Sequence, residues 1–270
     1  MAQRRAMLKT ALLLAATVAL VPSSGSAVSV AYAGSLVRVM EGPVAAALAR
    51  DTGLQFSGEA KGSKALAHLI AAGLRAPDVF VSADPALMKG LAPCSVFGSA
   101  KMVVAFSNRS RSRGLLESAA AGKRSILDVL AQPGVTVAST DPAVDPKGER
   151  TLSVLALLGK HYRNSSLARL VRGKLQLFPE EDLAVRVESG EADAGFFYST
   201  EVPGRDLRAI DLPRDVRLSS QIVYAVAQMP HAPHPAAAAA FVDFILHGPG
   251  RRILEASGVQ FFAQVRRISM

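Results

Sequence analysis

Two short Gly-Ser steps stand where an apolar run gives way to a helix, and their chemistry is the clearest in the chain. The first is Gly34-Ser35, and the second is Gly62-Ser63. Glycine lets a ligand approach the backbone closely, and the serine hydroxyl donates a hydrogen bond. The start of a helix adds unpaired N–H groups and the positive end of the helix dipole. One such step is usually a helix cap, whereas two in one chain indicate a site that holds an anion.

Two further junctions between a loop and a helix carry polar residues. The third, residues 141–151, contains Asp-Pro twice and leads through Asp145 and Lys147 into a helix. The fourth, residues 179–183, places three acidic residues directly before Leu183. Each of these junctions alone is typical of an ordinary capped helix. The acidic residues of the fourth junction would repel an anion unless their side chains point away from it.

The order of the apolar and amphipathic segments predicts repeated strand–helix–strand units, and therefore an α/β fold with mostly parallel sheets. The predicted strands are residues 28–32, 54–57, 79–82, 101–106, 135–138, 194–198 and 221–227. The predicted helices are residues 37–50, 63–73, 85–91, 126–130, 151–162, 183–189, 235–246 and 250–256. The polar residues 107–123 are predicted to form a surface loop.

The pattern fits two α/β lobes better than one sheet. We expect two crossing strands, near residues 103–107 and 221–226, to join the lobes. The first lobe is then discontinuous, with residues 28–104 and 222–270, and the second lobe comprises residues 105–221. No sequence repeat is evident between them.

Residues 1–27 have the pattern of a secretory signal peptide. Three basic residues without an acid precede an almost wholly apolar run, and small residues lead to Ala27. The pair Arg4-Arg5 fits either the twin-arginine route or the ordinary secretory route. No cysteine follows the apolar run, which disfavours a lipid anchor. We therefore expect a periplasmic or otherwise extracytoplasmic protein.

The composition narrows the class of partner. The chain has 31 basic and 22 acidic residues, and the excess of positive charge suits an anionic ligand through long-range steering. The basic residues are spread out, with no arginine-rich arm, so we expect no nucleic-acid partner. The single cysteine, Cys94, excludes an internal disulfide, and the absence of tryptophan disfavours a carbohydrate site.

Five segments, taken in order, resemble those of a known family. They are Tyr32-Ala33-Gly34-Ser35-Leu36, Lys61-Gly62-Ser63, DVFVSAD at residues 78–84, DPKGER at residues 145–150 and ESGEADAGFFY at residues 188–198. Together they resemble the molybdate/tungstate-binding proteins of ABC importers, over essentially the whole chain after the leader. The resemblance implies a two-lobed type II periplasmic binding fold with a hinge, which closes on a bare oxyanion. It also implies delivery of that oxyanion to an ABC permease, and we expect a monomer.

The resemblance also implies a set of ligand-binding residues. Ser35 and Ser63 would donate hydroxyl and backbone hydrogen bonds, and the main-chain N–H of Lys147 would reach across from the second lobe. The helix start near Leu183 would supply another amide, and Tyr198 its phenol O–H. Uncharged donors suit a dianion, because rigid dipoles satisfy its oxygens in a cleft that excludes water.

One departure from the family changes the expected coordination. A tungstate-preferring branch completes an octahedral metal centre with two carboxylates, one from the Asp-Pro turn and one just before the strand-end tyrosine. Asp145 occupies the first of these positions, but the second is Phe197. We therefore expect a tetrahedral molybdate or tungstate held by hydrogen bonds alone, with Asp145 shaping its turn. No cofactor is expected, and the scattered histidines show no metal-ligand spacing.

Other ligands and another class of function stay open. Sulfate, thiosulfate and phosphate are also tetrahedral, and side-chain identity hardly encodes the radius of a cavity. Phosphate carries a proton near neutral pH and needs an acceptor, for which Asp145 is the only candidate that we identify. An enzyme that uses Cys94 or Asp84 is the alternative from another class. No base is paired with either residue in the sequence, so we expect a binding protein and not an enzyme.

Overall fold

The computed structural model describes residues 27–269, and the predicted leader lies outside them apart from Ala27. The strands are β1 (Ala27–Ala33), β2 (Gln55–Lys61), β3 (Val79–Ser82), β4 (Cys94–Ser99), β5 (Met102–Phe106), β6 (Val137–Thr140), β7 (Leu175–Phe178), β8 (Ala194–Tyr198), β9 (Arg208–Asp211), β10 (Val223–Gln228) and β11 (Gln260–Ile268). The helices are α1 (Val37–Val39), α2 (Ala45–Thr52), α3 (Ser63–Ala71), α4 (Arg113–Ala120), α5 (Ile126–Ala131), α6 (Pro146–His161), α7 (Ser165–Gly173), α8 (Leu183–Glu188), α9 (Pro235–Leu246) and α10 (Pro249–Ala256). Short turns of 3-10 helix occupy Gly34–Leu36, Pro85–Met88 and Ser199–Glu201, and a π-helical turn at Met40–Val44 joins α1 to α2.

These strands form two sheets, as the α/β pattern predicts. The first has the order β11-β4-β10-β3-β1-β2, and the second has the order β7-β6-β8-β5-β9. We use lobe 1 and lobe 2 for each sheet together with the helices packed on it. Within residues 27–269, no helix combines the length and the apolar character needed to cross a membrane.

The passage between the sheets falls earlier than the expected boundary between residues 104 and 105. Strand β5 pairs antiparallel with β8 and β9 along its length, so all of it belongs to the second sheet. The chain therefore leaves the first sheet after Ser99 and enters the second at Met102. It returns between Asp211 and Val223, because β10 pairs with β3 and β4 of the first sheet.

The two lobes repeat one topology that the sequence does not reveal. In lobe 1, β1 lies between β2 and β3 in parallel, and β10 follows β3 antiparallel. In lobe 2, β6 lies between β7 and β8 in parallel, and β5 follows β8 antiparallel. Ligands of such sheets bind outside the carboxyl ends of the parallel strands, which here lead into α1, α3, α6 and α8.

The repeat includes one buried aspartate in each lobe, placed just before the third parallel strand. Asp78 accepts hydrogen bonds from the amide and hydroxyl of Ser29, both at 2.8 Å, and from the amide of His234 at 2.6 Å. Asp193 accepts the amide of Thr136 at 3.0 Å and its hydroxyl at 2.9 Å. Burial opposes the charge of both carboxyl groups, but these hydrogen bonds outweigh it and lower both pKa values.

Some predicted elements are wrong or incomplete. The loop expected at residues 107–123 contains α4, because Leu116 and Ala119 lie on one face of a helix and are buried. Strands β4, β7, β9 and β11 and helix α7 were not predicted. The helix expected at residues 85–91 is only a 3-10 turn at Pro85–Met88.

Replacing either buried aspartate by asparagine tests the repeat. In Asp78→Asn and Asp193→Asn, an amide group replaces an oxygen that accepts hydrogen bonds, so we expect losses of roughly 2–3 kcal/mol in the free energy of unfolding at pH 7. Because the folded-state pKa values are lowered, this stabilisation is present above the unfolded pKa and disappears as the pH falls through the folded pKa. Urea unfolding at pH 7 and at pH 3 should show the difference from the unsubstituted protein shrinking in acid. The exposed control Asp243→Asn should change little, and equal behaviour of all three variants would contradict this assignment.

Candidate functional site

The carboxyl ends of the parallel strands of the two lobes face each other across a closed cleft. Three of the polar contacts across it are Ala65 N to Val144 O at 3.1 Å, Lys64 Nζ to Glu149 Oε1 at 2.5 Å, and Arg150 Nη2 to Asp84 Oδ2 at 3.0 Å. In each contact, a residue near the start of a helix in one lobe meets a residue of the other lobe. That second residue lies near the end of a strand or the start of a helix. The cleft therefore brings together the junctions that the sequence singles out.

The first Gly-Ser step lies against a glutamate of lobe 2. A Cβ atom on Gly34 would overlap the side chain of Glu180, so only glycine permits this approach. Ser35 is buried, and its Oγ lies 3.2 Å from the phenol oxygen of Tyr224. That phenol also lies 3.0 Å from the hydroxyl of Thr200, so a network of hydroxyl groups lines this side of the cleft.

The second Gly-Ser step lies against an aspartate of lobe 2. A Cβ atom on Gly62 would come within 2.9 Å of Asp145 Oδ2 and 2.7 Å of the Val144 carbonyl oxygen. Ser63 is buried at the start of α3, and its hydroxyl oxygen accepts the amide of Ala83 at 3.2 Å. Each Gly-Ser step thus lies against a carboxyl-bearing residue of the opposite lobe, at the position where the sequence predicts a bound anion.

Asp145 forms the N-cap of α6. Its Oδ1 accepts the amide of Lys147 at 2.6 Å and the hydroxyl of Thr140 at 3.1 Å. A short polar side chain at this position satisfies a backbone donor that the helix leaves unpaired. The amide of Lys147, which the resemblance assigns to the ligand, is therefore directed at Asp145 in this structure.

The side chain of Lys147 is the main functional feature that the sequence does not reveal. It is only 1% exposed, and its ammonium lies 2.6 Å from Glu180 Oε2 and 2.7 Å from Glu201 Oε1. Burial alone would lower the pKa of this lysine, but the surrounding carboxylates outweigh that cost and raise the pKa above its ordinary value. The ammonium of Lys147 therefore keeps its proton in the centre of the cleft.

Three carboxyl groups surround this single ammonium. Glu201 also accepts the amide of Tyr198 at 2.6 Å, which fixes the turn after β8. Burial raises the pKa of Glu180 well above its ordinary value and raises the pKa of Asp145 as well. The sequence offered Asp145 as the only candidate acceptor for a protonated oxyanion, and the structure adds two buried glutamates beside Lys147.

Tyr198 ends β8 at the bottom of the cleft. It is 2% exposed, and its phenol oxygen has no hydrogen-bond partner within residues 27–269. Burial raises its pKa well above the ordinary value, so the phenol keeps its proton. A buried hydroxyl without a partner costs about 1–3 kcal/mol, which marks Tyr198 as a donor suited to a ligand.

Leu183, whose amide the resemblance assigns to the ligand, begins α8. Its amide donates to the carbonyl of Pro179 at 3.1 Å, within the first turn of α8. Its side chain is fully buried and packs in a cluster that includes Val103 and Phe197. Phe197 lies beside the buried lysine, with Lys147 Nζ 5.4 Å from the centre of its ring.

An open cavity of about 350 Å³ leads from solvent to the inner site. Asp145 and Glu180 line its inner wall, and Lys61, Val144 and Leu177 lie around it. Ser35, Ser63 and Tyr198 are not among the residues that line this cavity. All three residues are buried.

Cys94 and Asp84, named for the enzyme alternative, lie in structural positions. Cys94 is buried in β4, and burial raises the pKa of its thiol, which disfavours the reactive thiolate. Asp84 caps the turn Pro85–Met88 and pairs with Arg150 of lobe 2 at 3.0 Å.

Two α/β lobes that enclose a buried polar centre define the class of two-lobed binding proteins, and solved structures agree. The periplasmic molybdate-binding protein of Azotobacter vinelandii superposes with a TM-score of 0.69 at 21% identity, over 88% of this chain and 100% of that one. The sulfate-binding protein of Mycobacterium tuberculosis superposes with a TM-score of 0.62 at 15% identity, over 88% of each chain. The expected two-lobed type II periplasmic binding fold is confirmed.

Residues 28–260 match the family of bacterial extracellular solute-binding proteins, and the chain belongs to that family. A putative ABC transporter molybdenum-binding protein of Haloferax volcanii is 32% identical over 197 residues, which is 71% of this chain and 61% of that relative. A molybdate-binding protein of Mycobacterium tuberculosis is 30% identical over 203 residues, covering 73% of this chain and 70% of the relative. The match to the Haloferax protein thus spans less than two thirds of its length.

Removal of the buried ammonium tests its structural importance. Lys147→Met leaves the carboxyl groups without their counter-charge, and losing one partner of a buried ion pair costs about 3–5 kcal/mol. The loss should be largest at pH 8 and smaller at pH 5.5, because the unpaired carboxyl groups take up protons in acid. Urea unfolding of this variant and of the exposed control Lys160→Met, on the same helix, measures the difference. A loss equal to that of the control, or independent of pH, would contradict the assigned role.

Proposed function

We propose that this protein captures molybdate or tungstate outside the cytoplasm and delivers it to an ABC permease. The observation that carries the proposal is that one cleft holds two buried Gly-Ser steps and the Tyr198 phenol, which has no hydrogen-bond partner among residues 27–269. The names of the Haloferax and Mycobacterium relatives support the choice of oxyanion.

The proposed donors come from both lobes. Ser35 and Ser63 supply hydroxyl groups from lobe 1, while Tyr198 and the N-terminal end of α6 at Lys147 act from lobe 2. A ligand that contacts both lobes stabilises the closed form more than the open form, and so shifts their equilibrium. The permease would then recognise closure and not the anion itself.

Asp145 and Leu183 have supporting roles in this proposal. Asp145 holds the first turn of α6 through the amide of Lys147, and Leu183 anchors the loop that carries Glu180. The oxyanion is held by hydrogen bonds, without direct ligation of its metal by side chains and without a cofactor. We further propose a monomer in the periplasm, consistent with a family of extracellular binding proteins.

A protonated oxyanion such as hydrogen phosphate is the second candidate ligand. The buried carboxyl group of Glu180 adds an acceptor beside Asp145, which the hydroxyl group of a protonated oxyanion requires. Sulfate and thiosulfate carry no proton near neutral pH and compete on size alone. Binding measurements with all of these anions distinguish the candidates.

Titration calorimetry on the chain without its leader tests the choice of ligand. We expect molybdate and tungstate to bind with 1:1 stoichiometry and at least tenfold more tightly than sulfate, thiosulfate or phosphate. A chain that gives no heat with molybdate and tungstate, or that prefers phosphate, would contradict the proposal.

Three conservative variants test the proposed donors. Ser35→Ala, Ser63→Ala and Tyr198→Phe each remove one hydrogen bond to a charged ligand, worth about 1.5–3 kcal/mol, so we expect affinity for molybdate to fall by about 10–100-fold. Ser166→Ala and Tyr162→Phe, which lie away from the cleft, serve as matched controls and should bind as the unsubstituted protein does. Unchanged affinity in both cleft serine variants would place the site elsewhere.

A further inference from the structure

Glu180 occupies the position where the first Gly-Ser step would meet an anion. Its side chain is 2% exposed and lies between the backbone of Gly34 in lobe 1 and the ammonium of Lys147 in lobe 2. The neighbouring Glu181 is far more exposed and points instead toward Lys61, with a separation of 3.8 Å. One acid of the fourth junction is therefore built into the site, while the next faces the cavity mouth.

We infer that Glu180 is a specificity-determining residue of the anion site, and that a dianion binds only together with a proton taken up by the Glu180 carboxyl group. This inference rests on the proposed function. Among residues 27–269, Lys147 is the only ammonium in contact with Glu180 and Glu201, and Asp145 lies close by. With all three acids ionised, the buried cluster is already negative, and a dianion would add two more negative charges where water cannot screen them.

The hydrogen bonds of the three acids indicate which of them takes the proton. Asp145 accepts two hydrogen bonds, and Glu201 accepts the amide of Tyr198 and the ammonium of Lys147. The ammonium of Lys147 is the only polar contact of Glu180 among the described residues. Burial raises the pKa of Glu180 well above its ordinary value. Since Glu180 has the fewest hydrogen-bond donors of the three, we assign the proton to its carboxyl group.

A protonated Glu180 changes from an acceptor into a donor. Its new O–H can bond to an oxygen of molybdate or tungstate, and the Lys147 ammonium gains freedom to face the anion. The balance is one solvent proton added to one carboxylate, with no other bond made or broken. A protonated oxyanion would instead bind the ionised Glu180 without proton uptake, which is how this residue would discriminate between ligands.

The direction of the pH dependence follows from linkage. A bound dianion raises the pKa of Glu180 further, so affinity increases as the pH falls through the pKa of the complex and levels off below the pKa of the free protein. The other titratable groups that face Glu180 or its neighbours are Lys147 and Arg150 of α6, Asp145, Glu201, Tyr198 and Tyr224. The pKa values of the lysine and of both phenols are raised, so these groups keep their protons between pH 6.5 and 9.

Calorimetry with tungstate in two buffers of different ionisation enthalpy counts the protons directly. For the unsubstituted chain without its leader, we expect uptake of up to one proton for each tungstate bound. The dissociation constant should rise by up to about tenfold for each pH unit across pH 6.5–9, as linkage to a single proton requires. Binding of tungstate without proton uptake would overturn the inference and leave the proposed function intact.

A matched pair of variants assigns the proton to its residue. Glu180→Gln carries a neutral donor at all pH values, so we expect no proton uptake, a flat pH profile and tighter tungstate binding at pH 8.5. The adjacent Glu181→Gln should behave as the unsubstituted protein does. If Glu180→Gln still takes up the proton, the inference is wrong. If neither the unsubstituted protein nor this variant binds molybdate or tungstate, the proposed function fails and the inference fails with it.

Discussion

A buried ammonium cannot be left without counter-charge, and this constraint organises the centre of the molecule. Lys147 comes from the first turn of α6, Glu180 from the loop before α8, and Glu201 from the turn after β8. The ion pairs therefore hold together three junctions of lobe 2 that are far apart in the sequence. Because Glu201 also accepts the amide of Tyr198, the same network fixes the end of the strand that carries the phenol.

The two lobes can approach each other at this centre because lobe 1 has glycine, which has no side chain, at the two points of contact. At Gly34 and Gly62 a Cβ atom would collide with Glu180 and with the turn that carries Asp145. The carboxyl groups of lobe 2 thus lie at the helix starts of lobe 1, where a negative charge is favoured. Both Gly-Ser steps therefore lie directly against carboxyl-bearing residues of lobe 2.

The sequence predicted the parts of the fold that rest on long apolar runs. The bounds of β3, β8 and α9 match the expected ranges, because the two strands are fully buried apolar runs and the helix begins at a proline and has one apolar face. Strands β7 and β9 are short and half exposed, so their alternation does not stand out from loop sequence. Helix α4 is hidden in a segment that is polar on its outer face. The topology that the two lobes share cannot be detected in the sequence, because it lies in the order of the strands and not in the identity of the residues.

The same contrast holds at the site. Ser35, Ser63 and Tyr198 were proposed as donors because small or polar residues at strand ends and helix starts can be recognised from the sequence alone. The inward direction of the Lys147 and Glu180 side chains could not be predicted, because it depends on how the junctions of lobe 2 pack together. The two neighbouring glutamates of the fourth junction differ in this respect, because Glu181 faces Lys61 whereas Glu180 is buried against Lys147.

A crystal structure of the protein with tungstate tests the central claim most directly, because the anomalous signal of tungsten locates the anion without ambiguity. We predict one tungsten site in the closed cleft, with tungstate oxygens in hydrogen-bonding distance of Ser35 Oγ, Ser63 Oγ and Tyr198 Oη. Tungsten bound only at the mouth of the cavity near Lys61, or on the outer surface, would contradict the account.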